Sequence, residues 1–485
     1  MVGWYGVLSG ITVNRLTCSF STILVAVYYS FYFLDRALLI FKLFLLEEES
    51  FFSNSSPPSI FTLSVFDQFS PTVYFPLLLF YPNTVQPRDR ELNSIDPQSL
   101  VVERTKLLKT SLSETLTRFY PFAGRIHDHA SICCNDKGAV FVEAKVKCSI
   151  SRVLEEPDLE FLTELIPKLE STDEGETGYV LLNVQVNFFE CGGIAIGFNV
   201  SHKMIDAYTL STFINSWAAT SLGFGTSDHT VFPSHQYVGA ASRFPPLDLF
   251  KPPPQFGKLA KEKCITKRLV FESSKIAYLK SEAASAAVPN PTRVEVVSAL
   301  IWRTAMKASS ANSDSVRSSS TWLQIVNMRN ILAQPSGKNL MGNLLGFFAA
   351  RSTGGGESND DLQGLVAAMR KGSEEFKVKY GTKFVSGEDV SKLMNEYGED
   401  MQKYDTECYC STSWCRFPFY EADFGWGKPL MSVPATVELK NLITLMDTSD
   451  GGGVEARLTL KEEDMAIFEK NEELLAFASL NPTVT

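Results

Sequence analysis

Histidine is scarce in this sequence, with five residues in 485, and paired metal-binding cysteines are missing. The nine cysteines include no CxxC pair. Their nearest neighbours, Cys133–Cys134 and Cys408–Cys410, do not have the spacing of a zinc site. A scattered, odd-numbered set reads as reduced thiols of a cytosolic protein with no disulfide framework and no metal. An excess of basic charge is missing too. The formal charge is −10, with both signs mixed along the chain, which excludes a nucleic-acid binder with a concentrated positive face. An anionic ligand on a local basic patch is still compatible. No GxSxG elbow marks an α/β-hydrolase, and no Walker A loop is present. Gly192 to Gly197 reads as a turn and strand, not a dinucleotide fingerprint. Asp423-Phe424-Gly425 imitates a kinase triplet without the other kinase elements. No internal repeat is evident.

What is present is enough chain for two sizeable cores. Apolar and charged fractions of 45% and 21% are those of a globular protein. The first 52 residues stand apart as a hydrophobic leader. Leu16 to Leu34 is uncharged and just long enough to span a bilayer core of roughly 30 Å, and Ala37 to Leu46 is a second apolar run broken only by Lys42. The leader reads as a membrane anchor or a non-native start, since it lacks the cleavage site of a signal peptide.

Ser53 to Ser59, with Pro57 and Pro58, reads as a linker. Helical spacing runs from Pro97 through Leu116, and strand alternation covers Ala139 to Val146. Asn183, Gln185 and Asn187 alternate with Leu182, Val184, Val186 and Phe188, the pattern of a half-buried strand. Gly192-Gly193 then turns the chain into Ile194, Ile196, Phe198 and Val200, which predicts a hairpin. Beyond it the period becomes helical, with Leu210, Phe213, Ile214 and Trp217. Asp206 stands at the N-cap position, with Ile205 and Leu210 placed for a staple. Residues 223–263 are irregular and carry Pro245-Pro246 and Pro252-Pro253-Pro254. They predict a crossover between an N-terminal domain, 53–222, and a C-terminal domain, 264–485. In the second half, Ser273 to Ala286 and Arg293 to Met306 read as helices and Thr321 to Val326 as a strand. Gly354-Gly355-Gly356 and Gly451-Gly452-Gly453 read as loop tips.

Among the histidines, His229 and His235 fall in irregular sequence. His127 and His129 flank Asp128 without a further ligand cluster, so an exposed edge is the plain reading. His202 differs by position, at the turn between a strand and a helix, where a side chain can be held at the lip of a cleft. On the residues alone it is either a proton-transfer group or a capped turn residue.

His202-Lys203-Met204-Ile205-Asp206 matches HxxxD, and Asp423-Phe424-Gly425-Trp426-Gly427 matches DFGWG. In this order and separation the pair resembles the plant BAHD acyltransferases. Leu63-Ser64 with Asp67-Gln68, Phe80-Tyr81-Pro82, Tyr120 to Arg125, Val326 to Arg329, Gly342-Asn343 and Ser413 to Arg416 agree. The likeness covers roughly Pro57 to Glu469 and has the character of the vinorine synthase branch. One departure stands out: the first strand usual in that family looks replaced by the hydrophobic leader.

The resemblance implies a mixed α/β fold of two domains, each a mixed β-sheet with helices, and a channel at their interface. It implies an acyl-CoA-dependent alcohol O-acyltransferase that acetylates a plant specialised metabolite, an alkaloid-like alcohol. Acetyl-CoA would be the co-substrate, with no tightly bound cofactor, in a cytoplasmic monomer. His202 would be the general base, with Trp414 and Thr412 as donors to the oxyanion. Asp206 would be structural, turned away from the histidine and paired with Arg329. Asp423, Gly425, Trp426 and Gly427 would be structural as well. Lys267, Ser273 and Ser274 are the basic and hydroxyl groups available to the coenzyme A phosphates. Two rivals are weighed. A carrier-protein-dependent condensation-type enzyme commonly reads HHxxxDG, whereas Ser201 and Ala207 flank the pattern here. The other is a membrane-tethered, non-catalytic relative, against which His202, Arg329 and DFGWG all count.

Overall fold

The hairpin expected around His202 forms the middle of a seven-stranded sheet. The computed structural model describes residues 28–30, 38–44, 59–83, 97–155, 159–168, 178–223, 238–248, 262–312, 319–332, 340–352, 361–381, 387–403, 407–434 and 439–484. The hairpin strands are Leu182–Phe189 and Ile194–Ser201, in register from Leu182↔Val200 to Phe188↔Ile194. Across the sheet the order is Tyr28–Ser30, Leu38–Phe44, Val140–Val146, Leu182–Phe189, Ile194–Ser201, Tyr74–Tyr81 and Met431–Pro434. All pairings are antiparallel except Val140–Val146 with Leu182–Phe189.

One expectation needs correcting. Asn183, Gln185 and Asn187 do not face water; every residue of their strand is buried. Two of the amides dock a covering segment instead, while Asn183 donates to the Asn199 carbonyl of the paired strand. Gln185 Nε2 donates to the Glu164 carbonyl at 2.9 Å, and Asn187 Nδ2 to that of Leu165 at 2.8 Å. Polar alternation thus marks a buried face whose partner offers free carbonyls, because buried amides must be hydrogen-bonded. The approach is close: a Cβ at Gly197 would lie 2.3 Å from the Leu165 carbonyl oxygen.

The first strand thought to be missing is also present. Leu38–Phe44, from the second apolar run, pairs antiparallel with Val140–Val146 over seven residues. A run of about ten apolar residues is too short for a membrane span, but it satisfies the free edge of a buried sheet. Of Leu16 to Leu34, only Tyr28–Ser30 falls within the described residues, as a short outer strand. Among the described residues no helix is long and apolar enough to cross a membrane.

The second sheet also has seven strands, in the order Leu345–Ser352, Ser320–Asn327, Glu407–Ser413, Leu442–Asp447, Val454–Lys461, Cys264–Phe271 and Ser479–Leu480. Glu407–Ser413 runs parallel to both its neighbours, so this sheet is mixed. Helices Ser273–Ala283, Arg293–Ala311 and Leu362–Tyr380 cover one face through Trp302, Trp322, Leu365 and Leu458. Arg293–Ala311 starts on a capping box between Thr292 and Glu295. The opposite face looks toward the first sheet. The halves are also stitched by the chain itself, because Met431–Pro434 adds an edge strand to the first sheet alongside Tyr74–Tyr81.

Candidate active site

His202 leaves the strand Ile194–Ser201 with its backbone N–H donating to the Val73 carbonyl at 2.8 Å. Four residues later Asp206 caps the helix Ala207–Ser221, its Oδ1 accepting from Thr209 N at 2.8 Å. The imidazole is fixed between these ends and packs on Phe75, with ring centroids 4.9 Å apart. It lines a cavity of about 270 Å3. Phe75 and Tyr208 line it from the first half, and Ile325, Thr412, Trp414 and Thr444 from the second. Ile325, Thr412 and Thr444 lie side by side on three adjacent strands. The cavity is therefore walled by both halves, and neither alone would enclose it.

The orientation of His202 comes from residues for which only the family resemblance had given a hint. Its Nδ1 lies 3.1 Å from Asn343 Oδ1. The Asn343 amide nitrogen donates to the His202 carbonyl at 2.8 Å and to Asp67 Oδ1 at 3.1 Å, so its oxygen is the atom turned to the ring. Asp67 Oδ1 also accepts from Asn343 N at 2.7 Å. Its Oδ2 accepts from Ser64 N at 2.9 Å and Ser64 Oγ at 2.6 Å, within the capping box of the short helix Val65–Phe69. Gly342 permits this approach: its φ is 107°, and a Cβ there would lie 3.1 Å from Asp67 Oδ1. Burial lifts the Asp67 carboxyl to about 6 against the pull of those hydrogen bonds. Lys203, buried beside it, donates to the Gln68 carbonyl at 2.9 Å, and burial draws its ammonium down to about 8.

Burial likewise pulls the His202 pKa below its ordinary value, opposed by a hydrogen bond to its own backbone, by Asp206 and by the Asn343 hydrogen bond. The ring is therefore neutral at physiological pH. The Asn343 oxygen at Nδ1 would accept a proton carried there, and a ring so protonated would keep its lone pair on Nε2.

Asp206 is committed elsewhere. Arg329 Nη1 donates to its Oδ2 at 2.7 Å and Nη2 to its Oδ1 at 3.3 Å, with both side chains buried. The same guanidinium donates to the carbonyls of Leu340 at 2.8 Å and Gly342 at 2.7 Å, and sits 4.5 Å from the Tyr208 ring centre. It thereby holds the turn that presents Asn343.

Trp414 is half-buried in the cavity wall against Phe75 and Phe419, with centroids 6.0 and 5.6 Å away. Thr412 lines the same wall. Cys410 joins it, a cysteine that the sequence gave no reason to place there; burial and the neighbouring Cys408 push its thiol up to about 12. A thiol so reluctant to ionise is a poor nucleophile.

Other predicted residues lie apart from the cavity. Asp423 Oδ1 accepts from Gly425 N at 2.8 Å and Gly427 N at 2.9 Å, closing a turn in which both glycines have positive φ. Phe424 stacks on Trp426 and meets Trp217 at 4.9 Å, which pins the turn to the core around the first sheet just before the crossing strand. Lys267 is paired with Glu469 at 3.1 Å, and Ser273 and Ser274 are exposed at a helix start; none of the three lines the cavity. His127 and His129 are exposed, and no metal-binding group of histidine, cysteine and acidic residues occurs among the described residues. His229, His235 and Gly354-Gly355-Gly356 lie outside the described residues.

Comparison with known proteins agrees over most of the chain. Residues 48–475 match the Transferase family. Akuammiline synthase 1 of Alstonia scholaris is 36% identical over 433 residues, 88% of this chain and 96% of that protein. Stemmadenine O-acetyltransferase of Catharanthus roseus is 33% identical over 435 residues, 86% of this chain and 94% of that protein. The crystal structure of vinorine synthase matches with a TM-score of 0.74 at 31% identity, covering 91% of this chain and 98% of that one.

Proposed function

This chain belongs to the BAHD acyltransferase family, and from that premise we propose that it transfers an acetyl group from acetyl-CoA to the hydroxyl of an alkaloid-like plant metabolite. Acyl transfer from a coenzyme A thioester is the family's chemistry. The finer reading is supported by one observation: a buried imidazole that lines an apolar cavity between the two halves, with its Nδ1 held by Asn343.

A thioester is already activated, so what must be supplied is a nucleophilic oxygen. His202 Nε2 takes the hydroxyl proton as the oxygen attacks the thioester carbonyl, and the thiolate leaves with that proton returned to sulfur. Such a base contributes roughly 10²- to 10⁴-fold. Trp414 and Thr412 line the cavity, and their indole N–H and hydroxyl would donate to the tetrahedral oxyanion. Direct transfer within a ternary complex fits the inert Cys410 thiol, which offers no acyl-enzyme route.

The lining favours a neutral acyl group. Among the described lining residues there is no lysine or arginine, and the one carboxylate, Asp206, is already neutralised by Arg329. A dicarboxylic acyl group would bring an unpaired charge into this cavity. The remaining lining, with Phe66, Phe69, Phe347 and Leu442, suits a bulky apolar acceptor. Lys267, Ser273 and Ser274 remain proposed contacts for the coenzyme A phosphates outside the cavity. We read the chain as working as a monomer, with residues 53–222 and 264–485 as its two domains.

The test is release of free thiol from a panel of acyl-CoAs with alkaloid, terpenoid and phenolic alcohols, for the native chain and His202→Ala. Acetyl-CoA turnover that is lost in the folded variant is expected. Full activity in His202→Ala would reject the base assignment, and a preference for malonyl-CoA would reject the neutral donor.

A further inference from the structure

The geometry points to Asp67 as a positioning residue for this reaction, acting through Asn343 to hold His202 in the tautomer whose Nε2 lone pair is open to the cavity. The inference rests on the reading of His202 as the base.

An asparagine beside an imidazole is ambiguous on its own. Its carbonyl oxygen would accept the Nδ1 proton, but the same side chain turned over would offer an N–H to Nδ1. The second arrangement moves the ring proton to Nε2, and the base is then lost, because the atom facing the substrate has no lone pair. The backbone of His202 itself also hydrogen-bonds the ring, so the amide orientation decides whether Asn343 reinforces that arrangement or opposes it. The Asn343 amide nitrogen has two acceptors, the His202 carbonyl at 2.8 Å and Asp67 Oδ1 at 3.1 Å. Turning the amide would bring its oxygen against both, so two repulsive contacts oppose the flip, and the stronger comes from the carboxylate.

Asp67 is in turn unable to swing away. Its Oδ1 is held by Asn343 N at 2.7 Å, and its Oδ2 by the backbone and hydroxyl of Ser64 at 2.9 and 2.6 Å. Four hydrogen bonds therefore converge on a carboxylate that is 2% exposed. Keeping a charge in such a place is costly unless it is compensated. The residue next to the histidine, Lys203, is also buried near Asp67 and feels its charge, with its ammonium tethered to the Gln68 carbonyl. A structural role in capping Val65–Phe69 alone would need neither the Asn343 bonds nor a buried ammonium.

The measurements are nitrogen-15 imidazole shifts of the native enzyme, and steady-state kinetics of Asp67→Asn, Asn343→Ala and the double variant. His202 in the native chain is expected to carry its proton on Nδ1 at neutral pH. Asp67→Asn, where it folds, should show a mixture of tautomers and a loss in kcat of about 10- to 100-fold with little change in KM, as for removal of an outer partner of a site residue. Asn343→Ala should lose a similar factor, and the double variant no more than the larger single loss, because both act on one path. A native His202 protonated on Nε2 would overturn the inference even if no variant folds. So would an Asp67→Asn enzyme with native kcat, or losses that multiply in the double variant. If His202→Ala is inactive while Asp67→Asn is unimpaired, this inference alone falls. If His202→Ala is fully active, the base assignment falls first.

Discussion

Asp206 and Arg329 form a buried pair that joins the two halves of the molecule, with Nη1 to Oδ2 at 2.7 Å and both side chains nearly inaccessible to water. The acidic member of HxxxD thus faces the partner half and not the histidine four residues before it. It caps a helix at its own end and holds the Asn343 turn at the other. Removing one member strands a buried charge. Asp206→Asn should lower the unfolding free energy by about 3–5 kcal/mol. The folded fraction should keep most of its kcat. A large kcat loss with unchanged thermal stability would instead make Asp206 a member of the proton path.

Acidification should move activity and Asp67-linked stability in opposite directions. The folded pKa of Asp67, about 6, lies above its ordinary 3.8 because of burial. The folded protein therefore takes up this proton first. The contribution of the group to stability grows as pH falls from 6 toward 3.8 and is lost as pH rises through 6. The charged neighbour of Asp67 is Lys203, while Asp206, paired with Arg329, acts on His202 only through its charge. Turnover should fall over the same window as Asn343 loses its anionic acceptor. In denaturant titrations between pH 7 and 5, the stability difference between native and Asp67→Asn protein should be constant above 6 and shift in favour of the native protein below it, because asparagine cannot take up the proton; a difference independent of pH would contradict the assignment.

Trp414→Phe keeps the ring between Phe75 and Phe419 but removes the indole N–H. If that group donates to the oxyanion, kcat should drop about 10²-fold with KM for both substrates nearly unchanged. Thr412→Val should give a comparable or smaller drop. Rates within a few-fold of native in both variants would leave the donor to be sought elsewhere.

The DFGWG turn should behave as a stability element. Gly425 has φ 110°, and a Cβ there would have room, its nearest neighbour being Leu222 Cδ2 at 3.6 Å. The cost of Gly425→Ala is then backbone strain, about 1–3 kcal/mol. Calorimetry should register that loss, while kcat of the folded enzyme stays close to native. A selective loss of kcat would bring the turn into the site.

Glu455 sits between two guanidiniums in the second sheet, 2.7 Å from Arg268 Nε and 3.5 Å from Arg457 Nε, all three buried. Glu455→Gln leaves two cations facing each other and should cost about 3–5 kcal/mol in denaturant unfolding. A near-native midpoint would mean that another anion or water balances the pair.

Much of this protein is written in local order. The change from period two to period 3.6 on either side of His202 forecasts the hairpin, the turn and the capped helix, because burial of alternate or helical faces is decided within a few residues. The glycines and tryptophan of Asp423 to Gly427 forecast a tight anchored turn for the same reason. Other features depend on what comes from elsewhere in the chain. Asp67 lies 276 residues from Asn343 and Asn343 141 residues from His202, so no window of sequence contains the relay. The cavity needs walls from two sheets, and Cys410 enters it only through strand register. Asn183, Gln185 and Asn187 read as the polar side of a half-buried strand until the carbonyls of 164–165 received Gln185 and Asn187 and that of Asn199 received Asn183. The apolar run at Leu38–Phe44 read as part of a leader until the open edge at Val140–Val146 received it. Local propensity can say that a group must be satisfied, but only the packed chain says by which partner.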